Sequence, residues 1–208
     1  MTPVIRPTRT EEGLILQEIE RLAGEQFREV GLPEVADDEP VSVAALARYA
    51  EDGRSWVAAD HTDVPIGYLL VDVVDGCAHI EQVSVRPDQQ GAGVGRALLE
   101  RVRAWAADSG LSAITLTTFA DVPWNAPLYR HLGFRVLKED ELGRQLRKLR
   151  DHETAQGLDP AKRVCMRSEL IGGREDAASG EYAERVQRRE NGERGEGGPG
   201  RGGDRAGG

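Results

Sequence analysis

An α+β domain with a mixed, largely antiparallel sheet flanked by helices, followed by a disordered C-terminal tail, is the fold class that this 208-residue sequence predicts. Three observations carry the prediction. The runs SWVAAD, PIGYLLVDVVDG and CAHIEQVSVRP are apolar and β-rich, and the turn residues Asp60 to Val64 and Asp75-Gly76 separate them, which is the pattern of an antiparallel meander. A long amphipathic stretch then leads into SAITLTTF. Strand, helix and strand in that succession form a right-handed crossover between parallel strands. Finally, composition shifts at Gly172. Between there and Gly208 lie 12 of the 25 glycines, seven Arg and eight acidic residues, with Tyr182 and Val186 the only bulky apolar side chains. Such a segment buries too little apolar surface to offset its ordering entropy, so a folded domain is expected over 1–171 and a disordered tail over 172–208.

Taken in order, VIRPTR has short strand character, and Leu14, Ile15, Ile19 and Leu22 fall at helical spacing between Glu11 and Leu22. Phe27 to Pro40 reads as a loop rich in acid. VSVAALARYAEDG follows as a helix ended by Gly53. After the meander, Val94, Leu98, Val102 and Trp105 line one helical face, and Asp108-Ser109-Gly110 closes that helix. Trp105 belongs to this core face and Trp56 to a strand. WNAPLYRHL is a short helix ending at Gly133, FRVLKE returns to β character, Glu141 to Thr154 is helix-forming, and Val164 to Leu170 supplies the last strand.

The net charge is −9, of which −8 falls on the folded part. An acidic body excludes a nucleic-acid face, which needs clustered Lys and Arg, and suits a cationic partner. MTPVIRPTRTEE lacks the apolar core of a secretory signal, and no run reaches the length of a membrane span. Cys77 and Cys165 make neither a disulfide framework nor, without a His cluster, a zinc site. They are expected to be small buried hydrophobes of a cytoplasmic protein without membrane, nucleic-acid or metal partners.

The stretch VRPDQQGAGVGRALLE sets Gly91, Gly93 and Gly95 between a strand and a helix. A helix N-terminus presents unpaired N–H groups and a positive dipole end, and glycines let a large anion approach the backbone. A phosphate compound is the natural ligand. The stretch is not a P-loop, because Arg96-Ala97 follows Gly95 where Lys and Ser or Thr are required. Nor is it the dinucleotide fingerprint, since the third glycine arrives one residue early and the loop follows a meander. The plain alternative is a turn that eases packing, although three spaced glycines at a helix start cost stability.

These residues resemble the GCN5-related N-acetyltransferase (GNAT) superfamily. Gln90-Gly91-Ala92-Gly93-Val94-Gly95, after VSVRPD, is similar to its [QR]-x-x-G-x-[GA] signature, and NAPLYRHLGF to its second signature, a Tyr followed four residues later by Gly-Phe. The resemblance covers roughly Val4 to Leu170. It implies that the backbone from Gly91 through Val94 to Arg96 binds the pyrophosphate of acetyl-CoA, with Gln90 shaping the loop. It further implies that the strand before the loop splays from the strand after it, and that Val83, Ser84 and Val85 offer main-chain contacts to the pantetheine arm. Arg96, Arg101 and Arg130 all compete for the 3′-phosphate. Asn125 is a candidate for the CoA arm, but the commoner pattern has its Asn seven residues before the Tyr, where this chain has Val122, and Asn125 is equally a helix cap.

Enzymes of this family bring an amine and a thioester together for direct attack. At neutral pH only on the order of one primary amine in a thousand is unprotonated, so a group must take its proton. Glu81 is the first candidate, since a charge within a strand is costly unless it faces a wet cleft. The alternative for Glu81 is a strand carboxylate paired with an Arg. His79, read as structural or solvated, and Asp72 follow. By resemblance Tyr129 is the general acid for the departing thiolate, its alternative being packing under Phe134. The N–H of Val85 is named for the oxyanion. The loop joining the first helices, with Phe27, Glu34, Asp37, Asp38 and Glu39, would line the acceptor cleft and attract a small amine-bearing cation. A solvated acidic loop is the plain alternative there. Competing functions are a protein N-terminal or lysine acetyltransferase, a non-catalytic acyl-CoA-binding regulatory module, and a nucleotide-binding domain. Homodimer formation is compatible with the fold, though no stretch specifies an interface.

Overall fold

The chain opens with β1 (Val4–Pro7) and, after a single 3-10 turn, α1 (Gly13–Gly24) in the computed structural model, which describes residues 3–170. The tail expected over 172–208 therefore lies outside the described residues. The segment read as a loop from Phe27 to Pro40 is partly helical, with 3-10 turns over Glu25–Val30 and a short α2 (Pro33–Ala36). Pro33 at the first helical position is pre-set for that turn, a signal the acidic composition obscured. Next comes α3 (Val43–Glu51), capped by the Ser42 hydroxyl, which accepts from the Ala45 N–H. The meander is β2 (Ser55–Ala59), β3 (Pro65–Val74) and β4 (Cys77–Val85). Asp75 and Gly76, both at positive φ, make the two-residue turn that joins β3 to β4.

The crossover follows, as α4 (Val94–Asp108) and β5 (Ala113–Phe119), then α5 (Ala126–His131), β6 (Arg135–Val136), α6 (Arg144–Ala155) and β7 (Arg163–Glu169). The run FRVLKE yields only the two-residue β6: Leu137 still donates its N–H to the Cys165 carbonyl of β7 at 2.9 Å, but from Lys138 the chain enters a 3-10 turn over Glu139–Glu141, where the Glu141 carboxylate accepts from the Lys138 N–H at 2.8 Å. All seven strands join one sheet in the order β1-β2-β3-β4-β5-β7-β6, antiparallel except at β4 and β5. One face packs on α4 through Leu69, Ile80, Leu98, Val102, Ile114 and Met166. The other is divided: α1 and α3 cover β2 and β3 through Leu16, Ile19, Leu46 and Tyr68, while α6 covers the end near β7. None of the described helices is long and apolar enough to cross a membrane. Cys77 and Cys165 are buried and unbridged.

Two irregularities position the site. The parallel pairing of β4 and β5 consists of three rungs, Ala78 with Ile114, His79 with Thr115 and Ile80 with Leu116, after which both strands continue without pairing. Between β3 and β4 the register slips, Leu70 facing Gln82 but Val71 facing Ile80, so Glu81 is the extra residue of a β-bulge. A bulge bends its strand and re-aims side chains.

Candidate active site

The bulge gives β4 its functional face. His79 points away from α4, toward Thr115, and its ring Nδ1 lies 3.0 Å from the Thr115 hydroxyl. With one residue inserted, Glu81 and Gln82 both fall on that same face. Glu81 is open to solvent at a crowded place, and its carboxyl is pushed up to about 7, first by desolvation and then by the negative charges of Asp72 and Glu153, against the pull of Arg163. Burial holds His79 down at about 4, so it is neutral and structural. Asp72 is removed as a base: it accepts from the Tyr49 hydroxyl at 2.9 Å and from Arg54 at 2.7 Å.

Beyond Ile80 the edge of β4 that faces β5 carries unpaired peptide groups. The Arg86 N–H donates to the Ile66 carbonyl at 2.9 Å. By alternation Ser84 and Gln82 then bond to β3, while the peptide groups of Val83 and Val85 turn into the gap. Ser84 is thus the exception among the three residues expected to serve the arm, its main chain being committed to β3. The Val85 carbonyl receives the Gln90 amide at 3.3 Å, which ties the loop to the strand end.

In that loop Gly91 and Gly93 have φ of +74° and +83°, and a Cβ on either would meet nothing within 4 Å. The turn is therefore open on its outer side, and glycine is needed for backbone shape. Gly93 is the N-cap of α4, with Ala92 exposed before it and Val94 buried behind. The first four N–H groups of the helix have no partner within it. A glycine cradle, free N–H groups and a parted strand pair together fit a long phosphate-bearing ligand. Among the three arginines, Arg96 is exposed in the first turn of α4, Arg101 lies over the Trp56 ring at 5.4 Å, and Arg130 is exposed on α5.

Tyr129 stands on α5 with its ring edge-on to Phe134 at 5.5 Å, and burial pushes its hydroxyl up to about 12. The packing under Phe134 is thus present, and the hydroxyl keeps its proton at neutral pH. Asn125 occupies the N-cap position of α5, but its side chain makes no capping bond.

The proposed acceptor residues divide. Phe27 packs at 5.7 Å from both Phe119 and Trp124, an aromatic wall beside the open end of β5. A cavity of about 230 Å³ adjoins it, lined among others by Leu32, Phe119, Asp121 and Lys162. Asp37 does not contribute a free charge, because Arg28 binds it at 2.5 Å. Glu34, Asp38 and Glu39 are exposed, and Asp38 acts on Glu20. Glu20 escaped the sequence reading. It sits on α1 four residues after the buried Leu16, accepting from Tyr68 at 2.5 Å, Gln82 at 2.9 Å and the Val41 N–H at 3.2 Å, and burial raises its carboxyl. An acid on the apolar face of a helix was the available signal. Glu153 and Arg163, from α6 and β7, were missed as well; sequence spacing does not connect them to Glu81.

Comparison with known proteins is consistent with this geometry. The model of the acetyltransferase (GNAT) family matches residues 16–134. An IAA acetyltransferase of Azospirillum brasilense is 36% identical over 73 residues, 35% of this chain and 48% of that protein. The peptidyl-lysine N-acetyltransferase YjaB of Escherichia coli is 28% identical over 87 residues, 42% of this chain and 53% of its own length. The matched region thus spans about half the length of these curated relatives. Among solved structures, the ribosomal-protein-S18-alanine N-acetyltransferase of Escherichia coli superposes with a TM-score of 0.56 at 19% identity, covering 84% of this chain and 98% of that one. The PaiA N-acetyltransferase of Thermoplasma acidophilum, in complex with coenzyme A, gives 0.59 at 14%, covering 81% and 99%.

Proposed function

Because the chain belongs to the GNAT family of acetyltransferases, we propose that it transfers an acetyl group from acetyl-CoA to the primary amine of a small cationic molecule, by direct attack in a ternary complex. The observation that carries this reading is the parting of β4 and β5 beyond Ile80, with the bulged Glu81 on one side and the glycine turn at its end. Acetyl-CoA, when bound, supplies the activated carbonyl. The N–H groups from Gly91 to Arg96 hold the pyrophosphate at the positive end of α4. The peptide groups of Val83 and Val85 hold the arm, with the Val85 N–H aimed at the carbonyl oxygen as charge builds on it. Glu81 takes the proton of the acceptor ammonium, a task for which a carboxyl near 7 is well matched at neutral pH. Tyr129, which keeps its proton at that pH, returns one to the departing thiolate.

The acceptor reading is supported by the carboxylates Glu20 and Glu81, with Asp38 acting on Glu20; the cavity of about 230 Å³ lined by Phe119, Asp121 and Lys162 lies below the usual range of about 300–1,000 Å³ for drug-sized ligands. A lysine side chain presents the same alkylammonium, and the likeness to a peptidyl-lysine N-acetyltransferase favours a lysyl acceptor as the second reading. Calorimetry tests the cofactor: acetyl-CoA is expected to bind at micromolar concentration, ATP and NAD not at all, and Gly93→Glu to abolish binding. Transfer rates to spermidine and to a lysine-containing peptide then separate the two acceptors. Absence of acetyl-CoA binding would overturn the whole reading.

A further inference from the structure

Helix α6 lies between β6 and β7, beyond Phe134, where the match to the family model ends. Nothing in the family signatures assigns it a part in the reaction, yet one of its side chains reaches the site. Glu153 accepts from the Thr117 hydroxyl of β5 and from Arg163 Nη2 of β7, the latter at 2.6 Å, with both side chains of this ion pair less than one-fifth exposed. His79 and Thr115 are opposite residues of the paired region and meet through their side chains. Glu81 and Thr117 each stand two residues farther along, on that same face, where the strands separate. Glu153 is therefore fastened to the far arm of the opening, across from Glu81. Its Oε2, like Arg163 Nε, has no hydrogen-bond partner among the described residues.

We propose that Glu153 is a positioning residue for Glu81: clamped by Thr117 and Arg163, it sets a second negative charge opposite the carboxylate that takes the acceptor's proton. The proposal rests on the reading of Glu81 as the base. The groups facing Glu81 are Asp72 of β3, itself bound to Arg54, Tyr49 of α3, Glu153 of α6 and Arg163 of β7, while His79 beside it on β4 is neutral. Asp72 and Glu153 favour the protonated form of Glu81, and Arg163 favours the ionised form. α6 and β7 thus push the same carboxylate in opposite directions.

The protonation of Glu81 is read in the full chain by NMR of its ¹³C-labelled carboxyl carbon, assigned by the loss of that signal in Glu81→Gln. The titration midpoint is expected near 7. Glu153→Gln is expected to lower it by about one pH unit and Arg163→Gln to raise it by about as much, the low end of what a close charge does. A merely structural role moves neither midpoint, or both the same way. An unmoved midpoint in folded Glu153→Gln overturns the proposal. Should that variant not fold, a midpoint in Arg163→Gln that fails to rise does so. The base reading fails separately: if Glu81→Gln still acetylates spermidine at the original rate, Glu81 is not the base, whatever the midpoints do.

Discussion

Glu81 is costly where it stands, and the cost has a pH signature. Its carboxyl sits at about 7 in the folded chain against 4.5 when free. A carboxyl raised by folding adds stability that is complete below its unfolded value and is lost as pH rises through the folded one. Glu81→Gln is therefore expected to melt higher than the parent above pH 7 and with little difference below pH 4, as scanning calorimetry at both pH values would register. In turnover the same variant is expected to lose roughly a hundred- to ten-thousand-fold in kcat while binding acetyl-CoA unchanged. The parent's kcat/KM is expected to rise with pH through about 7 as Glu81 loses its proton. At this scale the sequence was legible where chemistry is strictly local. Glu81 interrupts an apolar strand, and Gly91 and Gly93 do adopt the left-handed backbone that only glycine takes readily. It was illegible for Glu153 and Arg163, whose partners lie 10 to 46 residues away, whereas Glu20 carried a signal, an acid on the apolar face of α1, but not its partner Gln82, 62 residues on.

Among the elements, α4 and α6 begin in different ways. α4 begins at Gly93 in a left-handed conformation, so Gly93→Ala is expected to cost about 1–2 kcal/mol, visible as a lower urea midpoint, and to weaken CoA binding. α6 is capped from afar. The Asp75 carboxylate, at the tip of the β3–β4 turn, accepts from the N–H groups of Gln145 at 3.0 Å and Leu146 at 2.9 Å, and the Gln145 side chain accepts from the Asp75 N–H at 2.6 Å. Asp75→Ala is expected to cost about 1 kcal/mol and to speed hydrogen exchange in α6 more than in α4. The Asp-Gly pair announced a tight turn in the sequence. That the same Asp caps a helix some seventy residues later is a tertiary fact, which no local pattern carries. FRVLKE, β-like in composition, stops after two residues because the Glu141 carboxylate takes the Lys138 N–H and turns the chain into a 3-10 helix.

At the scale of the whole molecule, the meander, the crossover and the final strand were readable because period, turn chemistry and connection length agree. The one place where the sheet fails to close, between β4 and β5, needed a family resemblance to be foreseen. That gap leaves two facing rows of peptide groups inside the domain, the kind of edge that folded proteins normally cover. On the proposed reading, an amide-bearing arm laid between them would act as a missing strand, and the ligand would become part of the architecture. Binding then feeds back on folding by mass action: acetyl-CoA at a hundred times its Kd would add about 2.7 kcal/mol. Melting temperature is expected to climb with the logarithm of acetyl-CoA concentration, and to stay flat in Gly93→Glu. The amount of folded protein would in that way follow the supply of its own co-substrate.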